Sequence, residues 1–264
     1  MNRKKQKGAV CMETVKVRKI EIGAGMPKIC VPVTGITNTE ILTDVREICK
    51  AKPDLVEWRA DWYEDIDDPA KVNNILRALR ETLGDIPLLF TFRTKDEGGR
   101  RRMNPDDYVE LNQNAVRSRQ VDLVDVELFT GETEVLKILV TAHEYGVKTV
   151  LSNHDFEKTP SKETIISRLC RMQELGADIM KIAVMPQNRR DVLTLLSATE
   201  EMNSCYAKWP LITMSMAEEG RISRMCGEVF GSAVTFGAVG KTSAPGQIGV
   251  KELRTVLEVI HGES

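Results

Sequence analysis

The chain alternates short apolar runs with longer amphipathic segments. Each apolar run is followed by a polar loop and then by a segment with helical periodicity. A short apolar run between turn residues is typical of a buried strand in a parallel sheet. The predicted strands are Ile29–Val33, Leu55–Trp58, Leu88–Phe92, Leu123–Val126, Lys148–Leu151, Ile179–Val184, Leu211–Met214 and Ala233–Phe236. The predicted helices are Thr39–Ala51, Pro69–Leu83, Pro105–Arg119, Glu132–Tyr145, Ser161–Leu175, Arg190–Met202, Ser223–Phe230 and Lys251–His261.

Eight strand–helix units in succession predict an α/β fold, the (β/α)8 TIM barrel. The competing architecture is a doubly wound open sheet, which usually has a glycine-rich turn after its first strand. No such turn follows Val33. We therefore expect residues 15–264 to form a single catalytic barrel domain and residues 1–14 to form a disordered tail.

One further apolar segment precedes the first barrel strand. Val15–Ile22 alternates apolar and charged residues, which predicts a strand with one wet face. Two arrangements are open: this strand forms a hairpin with Lys28–Val33, or the second strand pairs elsewhere. In a barrel, we expect the Val15–Ile22 strand to cover one end.

Composition excludes several classes of function. Lys+Arg is 37 and Asp+Glu is 39, so the net charge of −2 gives no reason to expect a nucleic acid or a membrane surface as partner. None of the six cysteines lies in a CxxC pair, so we expect reduced thiols in a cytoplasmic protein. The basic start is not followed by the apolar region of a secretory signal.

Polar side chains collect where the predicted strands end. In a barrel, the carboxyl ends of the strands form the functional rim. Seven of the eight strands place polar or charged residues there. The groups are Glu57-Trp-Arg59, Thr91-Phe-Arg93, Asp125-Val-Glu127, Ser152-Asn-His-Asp-Phe156, Lys181, Thr213-Met-Ser-Met216 and Gly240–Gln247. A structural protein would have no reason to line one rim with charges of both signs.

Lys181 is the single charge in the apolar strand Ile179–Val184. Burial disfavours an ammonium ion, and a neutral amine in an apolar pocket can attack a carbonyl carbon to form an imine. The simpler alternative is a lysine that reaches out of the strand, with its ammonium in water or paired with a carboxylate.

Other rim residues are suited to proton transfer and anion binding. His154 ends the strand before Lys181, and an imidazole titrates near neutrality, so it is a candidate proton shuttle. Arg59, Arg93 and Arg224 are either salt-bridge partners or bidentate ligands for a substrate carboxylate. Gly240-Lys-Thr242 resembles the end of a P-loop, but Thr235 stands where the first glycine is required. The carboxylates do not have the spacing of a metal cluster, which favours a mechanism without metal.

These motifs together resemble one family. Glu57-Trp-Arg59, Thr91-Phe-Arg93 with Glu97-Gly-Gly99, Asp125-Val-Glu127, Ser152–Phe156, Lys181–Pro186 and Gly237–Gln247 are similar, in order and spacing, to those of type I 3-dehydroquinate dehydratase. The resemblance runs from about Val15 to near the C-terminus. It implies a hydro-lyase of the shikimate pathway that converts 3-dehydroquinate to 3-dehydroshikimate without a cofactor, and a homodimer.

The resemblance also implies roles for individual residues. Lys181 is expected to form a Schiff base with the substrate ketone, His154 to act as general acid and base, and Glu97 to orient His154. Expected substrate contacts are Arg224 for the carboxylate, with Glu57, Arg59, Arg93, Ser243, Gln247, Met214 and Met216. One departure is Pro32, which stands where some members have a substrate-contacting serine.

Alternatives to this function remain open at the level of sequence. A class I aldolase barrel shares the strand-borne lysine, and a barrel without activity could bind a small carboxylate. The segment Ser243–Gln247, with Gly246 and Gly249 beside it, is a candidate lid or an ordinary turn.

Overall fold

The structure is a computed structural model that describes residues 12–240 and 248–262. Its strands are β1 Val15–Val17, β2 Ile20–Ile22, β3 Lys28–Val33, β4 Leu55–Arg59, β5 Leu88–Thr91, β6 Leu123–Glu127, β7 Lys148–Asp155, β8 Ile179–Val184, β9 Leu211–Ser215, β10 Val234–Ala238 and β11 Ile248–Gly249. Its helices are α1 Asn38–Lys50, α2 Pro69–Leu83, α3 Pro105–Arg117, α4 Glu132–Glu144, α5 Lys162–Glu174, α6 Arg189–Cys205, α7 Arg221–Met225, α8 Gly227–Phe230 and α9 Val250–His261. Residues 1–11 of the predicted tail lie outside the described residues.

Strands β3 to β10 form a parallel barrel in which chain neighbours are also sheet neighbours. The last strand pairs with the first, since Val234 is in register with Lys28 and Phe236 with Cys30. The seam between β9 and β10 is bridged by Leu211 and Ser232, and Ala233 N donates to Leu211 O at 2.7 Å. The predicted (β/α)8 barrel is confirmed, and Lys28–Val33 pairs within it rather than with the N-terminal segment.

The N-terminal segment differs from its prediction. Val15–Ile22 is an antiparallel hairpin, β1 and β2, and not one strand. The chain reverses at Arg18, whose φ of +50° is in the left-handed region. Alternation of apolar and charged residues continues through this turn, so periodicity alone does not reveal the reversal.

The hairpin closes the N-terminal end of the barrel, as expected. Val15, Val17 and Ile22 are buried against the residues that begin the barrel strands. These residues include Cys30, Leu55, Leu89, Leu123, Val150, Ile179, Ile212 and Val234. The second and larger apolar layer lies between the barrel and its helices. Within the described residues, the interior of the barrel therefore offers space for a site at the carboxyl ends of the strands.

Two other elements differ from the pattern-based expectation. Strand β7 extends to Asp155, because its polar residues stay in register with β8, as in the pairing of His154 with Ala183. The predicted helix Ser223–Phe230 is interrupted at Cys226. At Gly227 the chain passes close to the following loop, where a Cβ would lie 2.9 Å from Ser232 O.

Helix starts agree with their capping residues. Thr37 and Glu40 form a capping box at α1, and the Asp68 side chain accepts from Ala70 N and Lys71 N before Pro69 begins α2. In the described ranges, none of the helices combines the length and the apolar character needed to span a bilayer.

We predict that the hairpin contributes substantially to stability. Ile22→Ala should lower the free energy of unfolding by about 2–5 kcal/mol, because Ile22 is fully buried and the cavity left behind cannot fill. Urea unfolding measures this. Lys16→Ala, on the exposed face of β1, is the control and should change it by less than about 0.5 kcal/mol. If both variants change the free energy of unfolding equally, burial of Ile22 against the barrel does not stabilise the fold.

Candidate active site

A cavity of ≈ 550 Å³, counted with its open mouth, lies at the carboxyl ends of the barrel strands. It is lined by Pro32, Glu57, Arg59, Arg93, Glu97, Gly98, His154, Phe156, Lys181, Ala183, Met214, Met216, Arg224 and Phe236. Nine of the eleven residues predicted for the site are among them. The other two, Ser243 and Gln247, lie outside the described residues.

Lys181 points from β8 into this cavity and is 3% exposed. Its Nζ lies 2.9 Å from Asp125 Oδ2 and 3.5 Å from Glu57 Oε1. The Nζ also lies 4.9 Å from the centroid of the Phe236 ring. The strand is apolar as predicted, but the end of the side chain is not in apolar surroundings. It is paired with the carboxylates of Asp125 and Glu57.

Asp125 joins Lys181 to Arg93. Its Oδ1 accepts from Arg93 Nη2 at 2.7 Å and from Ser152 Oγ at 2.6 Å. Burial alone would raise the pKa of Asp125, but the charges of Arg93 and Lys181 outweigh burial and hold it below its ordinary value. Asp125 is therefore a carboxylate, even though it is fully buried.

Arg93 is surrounded by acceptors. Its Nη1 donates to Glu127 Oε1 at 2.9 Å, to Ser152 Oγ at 3.1 Å and to Glu97 Oε2 at 3.3 Å. With Nη2 on Asp125, most of the guanidinium donors are engaged by the protein itself. A direct contact between Arg93 and substrate stays a prediction. Within the protein, Arg93 binds the carboxylate cluster of Glu97, Asp125 and Glu127.

Glu97 and His154 form a hydrogen-bonded pair. His154 Nδ1 lies 3.0 Å from Glu97 Oε2, and the same oxygen accepts from His154 N at 3.0 Å. Asn153 Nδ2 donates to the other oxygen at 3.1 Å. Burial raises the pKa of Glu97 to about 7. Burial, with the charges of Arg93 and Lys181, lowers the pKa of His154 well below its ordinary value.

This pairing changes what was expected of His154. The imidazole is neutral at pH 7, and the group that titrates near neutrality is Glu97. When Glu97 is ionised, its carboxylate accepts from Nδ1–H, and Nε2 then holds a free lone pair. When Glu97 is protonated, it donates to Nδ1, and Nε2 then bears the proton. Nε2 has no hydrogen-bond partner within residues 12–240 and 248–262, and it is available to the cavity.

Arg224 and Arg59 have opposite surroundings. Arg224, on α7, is 3% exposed, and its only side-chain polar contact with a described residue joins Nη1 to Met214 Sδ at 3.7 Å. Its Nε is buried with no acceptor among the described residues. Burial lowers the pKa of Arg224 to about 10. Arg59 instead donates twice to Asp61, at 2.7 and 2.9 Å.

The remaining predicted residues complete the walls. Met214 and Met216 are buried at the end of β9 and line the cavity. Glu57, on β4, accepts from Thr91 Oγ1 at 2.9 Å. Pro32 lines the cavity from β3 and offers no side-chain donor there.

Sequence reasoning did not single out Asp125, Asp61 or Phe156. Asp125 is part of the rim group Asp125-Val-Glu127, but its contact with Lys181 joins residues that are 56 positions apart in the chain. Asp61 is fully buried and also accepts from the backbone N of Arg93 and of Arg100. Its position two residues after Arg59 was the available signal.

The fold and the site together define a TIM-barrel enzyme with a buried lysine beside a histidine–glutamate pair. The family model for type I 3-dehydroquinase matches residues 29–264. The chain belongs to this family, and it is therefore a hydro-lyase.

Known proteins support the assignment along nearly the whole chain. The 3-dehydroquinate dehydratase of Clostridioides difficile strain 630 is 53% identical over 247 residues, which cover 94% of this chain and 97% of that protein. A crystal structure of the type I enzyme from Clostridium difficile, with covalently modified comenic acid, has a TM-score of 0.93 at 52% identity and covers 95% of this chain and 98% of its own. The enzyme from Geobacillus kaustophilus HTA426 has a TM-score of 0.92 at 42% identity, with coverage of 96% and 98%.

The raised pKa of Glu97 predicts a pH-dependent cost of folding. An acid whose pKa is higher in the folded than in the unfolded protein stabilises the folded state fully at a pH below its unfolded pKa, about 4.3 for glutamate. This stabilisation is lost as the pH rises through the folded pKa, about 7 for Glu97. Glu97→Gln mimics the protonated acid at every pH. Relative to the variant, the wild type should therefore lose roughly 2–3 kcal/mol of stability between pH 5 and pH 8.

Chemical unfolding at the two pH values measures this difference. Glu110→Gln, on the exposed face of α3, is the matched control and should show no such dependence. If Glu97→Gln and the wild type differ equally at pH 5 and pH 8, Glu97 is not the buried acid described above.

Proposed function

We propose that the protein removes water from 3-dehydroquinate to give 3-dehydroshikimate, through a Schiff base on Lys181 and proton transfers by His154. The barrel from Val15 onward is the catalytic domain in this proposal. From the family resemblance alone, we also propose a cytoplasmic homodimer. The relatives described above support the substrate, and the geometry of the cavity supports the roles of the residues.

The observation that most supports the proposal is the content of one cavity. It holds a buried amine, a neutral imidazole and a buried guanidinium that no described carboxylate neutralises. These three groups match three features of the substrate: a ketone, an acidic C–H next to a leaving hydroxyl, and a carboxylate.

Substrate binding follows from the unequal surroundings of the arginines. An arginine held in a dry site where no described carboxylate neutralises it favours an anionic ligand strongly, since a carboxylate accepts hydrogen bonds from the guanidinium and neutralises its charge. We assign the substrate carboxylate to Arg224. We assign contacts with substrate hydroxyl groups to Glu57 and Arg59, at the end of β4, and the family resemblance adds Arg93, Ser243 and Gln247. Met214 and Met216 form the apolar wall.

In the first stage, Nε2 of His154 accepts a proton from Lys181, and Nζ attacks the ketone carbon. The ketone oxygen takes one proton from the attacking nitrogen and the proton held by His154, and it leaves as water, so that a protonated imine remains. Asp125 and Glu57 lie beside the nitrogen that bears this positive charge, so they stabilise the iminium. The iminium is an electron sink next to the carbon that must lose a proton.

In the second stage, Nε2 of His154 takes the proton from the carbon next to the iminium, and the electron pair forms an enamine. The enamine then expels the β-hydroxyl, which leaves as water after it accepts a proton from His154. Addition of water to the conjugated iminium releases the enone product and returns the Lys181 amine. The proton that His154 takes from carbon is given to the leaving hydroxyl, so the elimination consumes no external acid.

Glu97 sets the starting state of His154 in this scheme. Only the ionised Glu97 carboxylate holds Nδ1–H and leaves Nε2 as a base. The raised pKa of Glu97, about 7, also makes its proton available near neutral pH, so Glu97 and His154 can share one proton through the cycle.

We predict that Lys181→Ala abolishes turnover of 3-dehydroquinate and removes covalent labelling of the protein. The amine is the only proposed attachment point, so no imine can form without it. The assay follows the ultraviolet absorption of the conjugated enone. Borohydride reduction with substrate present, followed by peptide mass mapping, locates the adduct.

His154→Ala is the control variant, because it keeps the amine. It should lose about 10²–10⁴-fold in rate, since a general acid–base is removed, but it should still be labelled at Lys181. Substrate labelling that persists in Lys181→Ala would refute the lysine assignment. Cleavage of a carbon–carbon bond would instead favour a class I aldolase.

We predict that Arg224→Met and Arg59→Met separate binding from stability. Arg224→Met should raise KM about 10–100-fold, because a charge-assisted contact with the substrate carboxylate is lost. Its free energy of unfolding should stay equal or rise, because a desolvated charge without a described counter-ion is removed. Arg59→Met should instead lower the free energy of unfolding by about 3–5 kcal/mol, because the buried Asp61 carboxylate loses its counter-ion and keeps its hydrogen bonds from backbone N–H groups.

Steady-state kinetics and urea unfolding of the two variants decide between these roles. If Arg224→Met destabilises the protein as much as Arg59→Met and leaves KM unchanged, Arg224 is a structural residue and the substrate carboxylate binds elsewhere.

A further inference from the structure

Phe156 occupies an unusual position at the mouth of the cavity. It follows directly after β7, and 42% of the residue is exposed. Its ring stacks beside that of His154, with the centroids 6.5 Å apart and the planes 22° apart. A ring this exposed contributes little to the core, so its contacts with the site are its principal structural relation to the barrel.

The ring of Phe156 is seated on Gly98. A Cβ added at Gly98 would overlap three atoms of the ring, so this close approach requires glycine. Gly98 also has a φ of +82°, which glycine adopts without strain. Gly98 immediately follows Glu97. The aromatic ring therefore lies against the two chain segments that present Glu97 and His154.

The backbone around Phe156 is fixed by hydrogen bonds. Asp155 Oδ1 accepts from the backbone N of Glu157 at 3.2 Å and of Lys158 at 3.0 Å. The next residues are tied to the segment after β8, since Thr159 Oγ1 donates to Met185 O at 3.0 Å and Gln187 Nε2 donates to Glu157 O at 2.7 Å. The ring is thus presented by an anchored turn.

We propose that Phe156, seated on Gly98, is the cap that excludes water from the Glu97–His154 pair and thereby fixes which nitrogen of His154 bears the proton. Phe156 is a positioning residue in this proposal, and it rests on the proposed role of the pair in proton transfer. Excluding water favours the neutral forms of both groups, so the pair holds one shared proton rather than two separate charges.

Other charges face the pair and act in both directions. Those that act on the pKa of Glu97 include Arg93, Glu127 and Asp125, and those that act on the pKa of His154 include Arg93, Lys181, Asp125 and Arg59. Burial is the largest influence on each member of the pair. Opening the cap reduces burial and leaves these charges in place. It should therefore lower the pKa of Glu97 and raise that of His154.

The test follows the tautomer of His154 without substrate. The chain has three histidines, so ¹⁵N-histidine labelling gives few NMR signals, and a His154→Gln variant assigns the one of interest. In the wild type the switch between the Nε2–H and Nδ1–H forms should occur near the pKa of Glu97, about 7. In Phe156→Ala water reaches the carboxyl group, so the midpoint should fall by about one pH unit or more, toward the ordinary glutamate value of about 4.3.

Two further variants sharpen the test. Gly98→Ala should displace the ring and shift the midpoint in the same direction, and Phe156→Leu, which keeps an apolar cover, should shift it less than Phe156→Ala. Phe129→Ala is the matched control, since Phe129 is 64% exposed just beyond β6 and does not line the cavity. Thermal unfolding confirms that each variant is folded.

The pH profile of kcat/KM with 3-dehydroquinate is the second readout, and its acidic limb should move down with the NMR midpoint. A uniform loss of kcat/KM with an unmoved midpoint in Phe156→Ala and Gly98→Ala would overturn the proposal and leave Phe156 as a wall of the cavity. An upward shift would overturn it as well. If the protein does not turn over 3-dehydroquinate, the proposed function fails, and the NMR midpoint still decides whether Phe156 is the cap.

Discussion

Asp125 binds two cations at once in a dry part of the barrel. One oxygen faces Lys181 Nζ at 2.9 Å and the other faces Arg93 Nη2 at 2.7 Å. A charge buried this deeply is costly without a partner, and removing one partner leaves the other at a cost of several kcal/mol. The amine, the arginine and the carboxylates therefore depend on one another, and the whole cluster depends on the closed barrel that holds their strands at fixed distances.

The buried arginines differ in their surroundings. Arg93 is engaged by acceptors of the protein and organises the carboxylates, while Arg224 is buried with no carboxylate partner among the described residues. In water these two guanidinium groups would be equivalent. In a low-dielectric cavity their surroundings make them different, and we propose a structural role for Arg93 and an anion-binding role for Arg224.

The hairpin and the cavity are complementary consequences of barrel geometry. Side chains fill the interior of an eight-stranded barrel unless one end is left open. Here the N-terminal end is filled by Val15, Val17 and Ile22. This leaves polar residues at the other end able to face a cavity, where hydrogen bonds replace solvation. The same division explains why the interior is apolar at the start of the strands and charged at their ends.

Much of this could be predicted from sequence, and each failure has a local reason. Buried parallel strands are continuous apolar runs, so the strands from β3 to β10 were all located, and the residue types that follow them indicated the rim. The turn at Arg18 was missed because alternation continues through it, and the end of β7 was missed because its polar residues resemble a loop. Phe156 was part of the motif Ser152–Phe156 but received no role, since a single aromatic residue after a strand has no periodicity.

The sequence by itself determined the order of strands and helices, the barrel class, and which chemical groups stand at the rim. These are local properties of spacing and side-chain type. Only the tertiary structure decided that Lys181 is paired rather than isolated, that Glu97 and not His154 titrates near neutrality, and that Arg224 differs from Arg59 and Arg93. Those outcomes depend on burial and on partners tens of residues away, which come together only when the barrel closes.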